Sequence, residues 1–307
     1  MQHLLSLTQL SPSQLTALVR RSAEFASGHR SKPLTDRTVG IFFRRSSTRT
    51  RTSFTVGAQK LGAQTVVFGP QDLQLVTGET LEDTGRVLSG YLDALVIRTN
   101  DAQAEMEALA RQNRMAVINA MSAEEHPTQA VADLSTILEA RGDLEGVHLL
   151  YLGEGNNSTS ALCFAFALIP RGHLTIVTPE GYGLPDSLLD QARELGRERG
   201  SIIEQHHDIG GLPRNVDVVY TTRWQTMGAS KPDPDWRRRF LPYTVDARLM
   251  ERVSKPEGTI FMHDLPSVRG DDATDEVLDG PQSLAWRQAE HKMFAAMAVL
   301  EYCVSEG

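Results

Sequence analysis

Thr38-Val39-Gly40-Ile41-Phe42-Phe43-Arg44-Arg45-Ser46-Ser47-Thr48-Arg49-Thr50-Arg51-Thr52-Ser53-Phe54 is the stretch on which the reading of this chain turns. Thr38 to Phe43 is a short β-branched and aromatic run, as a strand requires. The polar, cationic residues after it open a helix-like stretch that ends at Leu61-Gly62, so strand, turn and helix start follow one another directly. Upstream, Ser11-Pro12-Ser13 reads as a capped helix start, with Ser11 the N-cap and Pro12 in the first turn, running to about Ser27. Downstream, Gln64 to Phe68, Ala94 to Ile97 and Met115 to Asn119 read as strands, with amphipathic helices at Thr80 to Leu92 and Ala102 to Gln112 between them. Strands alternating with helices imply a mostly parallel sheet.

Pro127 to Arg141 reads as one long helix, and a second strand series begins at Val147 to Leu152. It continues through Leu174 to Val177, Ile202 to Glu204, Val216 to Tyr220 and Thr259 to Met262. The last helix, about Ala285 to Val304, is long enough to return to the first domain. The expected fold class is α/β, with two doubly wound parallel-sheet domains and the ligand cleft between them. The first domain is residues 1–142 plus the C-terminal helix of about 285–307, and the second is residues 143–284. A chain of 307 residues divides naturally in this way.

Hydrophobic content of 40% and charged content of 23% are those of an ordinary globular chain, and 39 acidic against 31 basic residues give a net charge of −8. Such a balance does not suggest a nucleic-acid surface. Apolar runs such as Leu149 to Leu152 and Ala295 to Leu300 fall far short of the roughly 20 residues of a membrane span. Met1-Gln2-His3-Leu4 lacks the charged and apolar regions of a signal peptide, and Cys163 and Cys303 lie in apolar, helical contexts. A soluble, cytoplasmic protein is expected.

A phosphate bound at Ser47-Thr48-Arg49-Thr50-Arg51 would meet backbone N–H donors and the positive end of a helix, with hydroxyls and a forked guanidinium adding directed bonds. The alternative is a basic, solvated first turn, but cations there oppose the helix dipole unless an anion is present. Arg98 follows an apolar strand, and His126-Pro127-Thr128-Gln129 opens a helix. Residues at those points of a parallel sheet face the crevice where ligands bind, where an arginine and a histidine would polarise a carbonyl oxygen. Taken alone, a histidine before proline is more often a capping or packing residue.

These pieces occur together and in an order that resembles the aspartate/ornithine carbamoyltransferase family. The resemblance continues through Gly153-Glu154-Gly155-Asn156-Asn157, Thr222-Arg223-Trp224-Gln225-Thr226-Met227-Gly228, His263-Asp264-Leu265-Pro266 and Ala289-Glu290-His291-Lys292, so it covers essentially the whole chain. It implies that the first domain binds carbamoyl phosphate and the second an amino-acid acceptor. Ser47, Thr48, Arg49 and Thr50 would hold the phosphate, Arg98, His126 and Gln129 the carbamoyl group, with Thr50 sharing the carbonyl oxygen and Lys292 completing the site. Asn157, Thr222, Arg223, Gln225, Thr226, Met227, Asp264 and Leu265 would contact the acceptor. Transfer of this kind requires positioning and oxyanion stabilisation but neither a metal nor an organic cofactor. The resemblance further implies a homotrimer in which Gln74 and Thr77 reach a neighbouring subunit's site.

Several residues depart from the family pattern. Where ornithine-type enzymes carry an aspartate two residues before the tryptophan, this chain has Thr222, and Arg223 follows. Thr222-Arg223-Trp224-Gln225 resembles instead the aspartate-type pattern, whose arginine and glutamine engage a side-chain carboxylate. Asp264 replaces the ornithine-type cysteine, while Asn157 keeps the ornithine-type asparagine that meets the α-carboxylate. Arg44 stands where the families have glutamate, and Lys292 where ornithine-type enzymes have an arginine, keeping the charge but losing the fork. The expected acceptor is therefore a non-standard one bearing an amine and a carboxylate, and Arg223 either grips that carboxylate or pairs with Asp264. An ordinary ornithine enzyme and a non-catalytic binder of carbamoyl phosphate or a related anion are the alternatives. Retention of Arg49, Arg98, His126 and Gln129 argues against the latter. A nucleotide binder is disfavoured, since no strand is followed by Gly-x-Gly-x-x-Gly and no Walker-type loop occurs.

Overall fold

The computed structural model describes residues 2–73, 78–225 and 231–305. These form two compact units, Met1–Glu139 with Glu290–Gly307, and Ala140–Ala289. In the first run α1 (Pro12–Ala26), β1 (Thr38–Phe43), α2 (Thr48–Lys60), β2 (Gln64–Phe68), α3 (Leu81–Leu88), β3 (Ala94–Arg98), α4 (Ala104–Leu109), β4 (Ala116–Met121) and α5 (Pro127–Arg141). The second carries β5 (His148–Leu152), α6 (Asn157–Leu168), β6 (His173–Val177), α7 (Asp186–Gly196), β7 (Ile202–His206), β8 (Val218–Thr221), α8 (Trp236–Phe240), α9 (Ala247–Val253), β9 (Ile260–His263) and α10 (Asp275–Leu278). The last helix, α11, spans Ala285–Ser305.

Both sheets are parallel, with strand orders β2-β1-β3-β4 and β7-β6-β5-β8-β9. Every residue of β4 and all but the first of β1 and β5 are buried, as expected of strands covered by helices on both faces. In each sheet the strand order reverses once, at β1/β3 and at β5/β8. Neighbouring crossovers there leave to opposite sides, so a crevice opens beyond the carboxyl ends of the strands. Phe43 pairs with Arg98 at the first of these points and Leu152 with Thr221 at the second. The cationic turn after β1 and the Asn157 and Thr222 segments after β5 and β8 therefore begin where a ligand site is expected.

Local chemistry explains the helix bounds. Ser11 caps α1 in a capping box, accepting from Gln14 N at 3.2 Å while Gln14 Oε1 accepts from Ser11 N at 2.8 Å, an arrangement worth about 1 kcal/mol. α3 and α4 are shorter than their sequence patterns suggest. Ser89-Gly90-Tyr91 closes α3 with tight turns in which Gly90 N donates to Val87 O and Tyr91 N to Leu88 O. Beyond α4, Gln112 folds back to donate to Leu109 O and Met115 O and to accept from Arg114 N and Met115 N.

Across β5 and β6, His148 and His173 stack with ring centroids 3.8 Å apart. Burial, and then the neighbouring His173, push the His148 pKa down to about 4, against the opposing pull of Glu204. The unfolded chain takes up this proton first, so the stabilising effect is complete above pH 6.5 and is lost as pH falls from 6.5 towards 4. With allowance for solvent screening the loss is about 2 kcal/mol. Urea unfolding at pH 7.5 and pH 4.5 should show a smaller decrease in stability for His148→Gln than for the wild type.

Candidate active site

The first unit brings Thr50, Arg98, His126, Gln129 and Lys292 together. Arg98, the last residue of β3, donates from Nη1 to Thr50 Oγ1 at 3.0 Å, and the same nitrogen lies 3.4 Å from His126 Nε2. Thr50 is in the first turn of α2 and is buried, while Ser47, Thr48 and Arg49 are half-buried or exposed around it. Ser47 is the N-cap of α2 but makes no side-chain capping bond, and the first turn has no acidic residue. This helix start therefore offers backbone donors and hydroxyls to an incoming anion. Arg44 points to acids of its own unit, at 2.8 Å from Asp101 and 2.9 Å from Glu105.

His126 is buried, and its pKa is held well below the usual value, first by burial and then by the positive charges of Lys292 and Arg98. Its imidazole is neutral at physiological pH, so it offers a hydrogen bond without adding a third cation to the cluster. Gln129, also buried, accepts from Lys292 Nζ at Oε1 and donates from Nε2 to Asp133 Oδ1 at 2.7 Å. Asp133 thereby fixes which way the amide faces. The sequence reading missed Asp133, although its i+4 spacing from Gln129 on one helix was the available signal. It also missed Glu125, whose buried carboxylate accepts from Leu7 N at 2.9 Å and ties the loop before His126 to the N-terminal segment.

The second unit brings Asn157, Thr222 and Asp264 to the carboxyl ends of β5, β8 and β9. Asp264 accepts from Thr222 Oγ1 at 2.9 Å and from Ser158 Oγ at 3.0 Å. The expected alternative of an Arg223–Asp264 ion pair is not what forms, because two neutral hydroxyls satisfy the carboxylate instead. Ser158, also missed, follows Asn157 directly in the first turn of α6. Arg223 makes no ion pair among the described residues and lines a cavity of about 200 Å³ with Gln225, Trp224, Trp236 and Asp272. Leu265 has a left-handed backbone, φ 52°, and its N–H donates to His263 Nδ1 at 2.8 Å. Such strain in a residue other than glycine is a recurrent feature of ligand sites. Gln74, Thr77, Thr226 and Met227 lie outside the described residues.

Comparison with known proteins gives matches along nearly the whole chain. Residues 2–139 match the family model of the aspartate/ornithine carbamoyltransferase carbamoyl-P binding domain, and residues 145–303 that of the Asp/Orn binding domain. The ornithine carbamoyltransferase of Acidothermus cellulolyticus is 39% identical over 98% of this chain and 96% of its own length. That of Oceanobacillus iheyensis is 40% identical over 88% of this chain and 82% of its own. Among solved structures, ornithine carbamoyltransferase from Pyrococcus furiosus superposes with a TM-score of 0.92 at 35% identity, covering 100% of this chain and 98% of that one.

Glu125 provides a test of how this site is built. Burial pushes its carboxyl up to about 7, against the Ser6 and Leu7 hydrogen bonds that favour the anion. Its contribution to stability is complete below the unfolded value of about 4.5 and is lost as pH rises to 7, a change of about 3 kcal/mol. Glu125→Gln removes the charge but keeps an acceptor for Leu7 N–H. It should raise the urea midpoint at pH 8 and flatten the wild-type decline between pH 5 and pH 8.

Proposed function

The chain belongs to the aspartate/ornithine carbamoyltransferase family, and on that premise we propose that it transfers the carbamoyl group of carbamoyl phosphate to the side-chain amine of ornithine, giving citrulline and phosphate. Ser47, Thr48, Arg49 and Thr50 take the phosphate. Arg98, Thr50 and His126 take the carbonyl oxygen, and Gln129, oriented by Asp133 and Lys292, takes the carbamoyl amide. As the neutral amine attacks the carbonyl carbon, negative charge grows on the oxygen beside the Arg98 guanidinium. The C–O bond to phosphate then breaks, and the leaving phosphate accepts the amine proton. Preorganised donors aimed at that oxygen contribute several kcal/mol to such a step.

The observation that carries the choice of acceptor is the bond from Thr222 to Asp264. Position 222 has lost the aspartate of the ornithine-type motif, yet Asp264 supplies a carboxylate one hydrogen bond away from it. The local negative charge that an ammonium group needs is thus relocated rather than lost. The ornithine-type names of the relatives favour the same acceptor over the non-standard one expected from the sequence. A second reading, an acceptor with an additional carboxylate, is favoured by Arg223, which has no ion-pair partner among the described residues. The proposal includes assembly as a homotrimer and a cytoplasmic location, the latter supported by two buried free cysteines.

Purified protein is given carbamoyl phosphate with ornithine, aspartate, 2,3-diaminopropionate, lysine or putrescine, and ureido product and phosphate are quantified. Ornithine should be the best acceptor, with turnover reduced on the order of 100-fold or more in Arg49→Ala. Asp264→Asn should raise the ornithine KM about 10- to 100-fold, because a charged partner of the ammonium group is lost. A preference for 2,3-diaminopropionate or aspartate that disappears in Arg223→Gln would establish the second reading instead. Light scattering should give three chains per particle.

A further inference from the structure

We propose that Lys231 is a positioning residue for the acceptor, its ammonium held in an aromatic cage and paired with Glu154 so that the loop before Asn157 and the Thr222 to Gln225 segment keep one fixed arrangement. The Lys231 Nζ lies 4.7 Å from the ring centroid of Tyr182, 4.9 Å from that of Phe240 and 5.3 Å from that of Trp236. It is ion-paired with the Glu154 carboxylate, and the Lys231 side chain is only 5% exposed. Burying a lysine ammonium is costly unless it is paired, and here three aromatic rings and a carboxylate replace its water. Removing one partner would leave the other charge buried and uncompensated.

The groups around Lys231 come from separate parts of the second unit, and Glu154, Tyr182 and Phe240 adjoin the two chain segments that carry Asn157 and Thr222 to Gln225. Glu154 lies in the turn after β5, three positions before Asn157. Its carbonyl accepts from Tyr151 Oη at 2.6 Å and from Thr159 Oγ1 at 3.3 Å. The next residue, Gly155, donates its N–H to Tyr182 O at 2.8 Å, which holds the turn against one wall of the cage. A Cβ at Gly155 would lie 2.6 Å from Leu184 N, so this close approach requires glycine. On the other side, the Phe240 ring packs 5.4 Å from Trp224, the residue between Arg223 and Gln225. One ammonium thus links the turn after β5 to the segment after β8, the two chain segments at the strand-order reversal of this sheet.

The inference rests on the reading that Asn157, Thr222, Arg223 and Asp264 contact the acceptor. It predicts a specific division of effects. Loss of the Lys231 charge should weaken acceptor binding and leave carbamoyl phosphate binding unchanged, because the groups that hold the latter lie in the other unit.

The test is steady-state kinetics and thermal unfolding of full-length Lys231→Met, Lys231→Arg and Glu154→Gln with ornithine and carbamoyl phosphate. Lys231→Met and Glu154→Gln should each raise the ornithine KM about 10-fold or more, with the carbamoyl phosphate KM within about 2-fold of wild type and kcat within about 3-fold. Lys231→Arg should recover most of the ornithine affinity, since a guanidinium keeps the ring contacts and the carboxylate bond. A folded Lys231→Met with unchanged ornithine KM overturns the proposal. So does an equal rise in both KM values, or unfolding of all three variants, either of which makes the role purely structural. A wild type that makes no ureido product from any acceptor overturns the function reading together with this one, whereas an active wild type and an unaffected Lys231→Met overturn this one alone.

Discussion

Parallel strands cannot be joined by tight turns, and this constraint organises the molecule. Each strand must be followed by a crossover that returns the chain to the same end of the sheet, and at one place in each sheet successive crossovers depart to opposite sides. Both sheets have a single such reversal, at β1/β3 in one and β5/β8 in the other. The chemistry-bearing residues concentrate at those ends: the turn after β1 and Arg98 in the first unit, Asn157 and Thr222 in the second. His126 and Asp264 add the ends of the adjoining strands, β4 and β9.

Charge is the second constraint. A site for a small dianion gathers cations, and gathered cations repel one another unless something holds them. In the first unit Lys292 is held by the Gln129 amide, itself held by Asp133, and Arg98 is held by Thr50. His126 remains neutral among them because burial and two positive neighbours all oppose its protonation. In the second unit the Asp264 carboxylate is held by two neutral hydroxyls, those of Thr222 and Ser158.

Much of the fold was legible in the sequence, because burial on both faces of a parallel strand demands short, near-continuous apolar runs and each crossover demands a helix-forming stretch. Helix bounds were less legible where the end is set by a side chain folding back, as with Gln112 beyond α4. The cationic turn, Arg98 and the His126 helix were legible because their positions follow from a one-dimensional pattern, strand end or helix start. Ser158, Asp133 and Glu125 were not singled out. Ser158 and Asp133 act on recognised residues through one hydrogen bond each, and Glu125 anchors the loop before His126 through its bond to Leu7; a hydrogen bond is a matter of distance in space.

The sequence by itself determined the family and the parallel α/β class, because these depend on residue types at local spacings. Only the tertiary structure decided that Asp264 is satisfied by Thr222 and Ser158 rather than by Arg223, and that Lys231 lies against Tyr182, Trp236, Phe240 and Glu154. Asp264 lies 42 residues from Thr222 and 106 from Ser158, and Lys231 lies 77 from Glu154 along the chain. Which of several available partners a buried charge takes depends on the packing of the elements that carry them, and no local pattern encodes it.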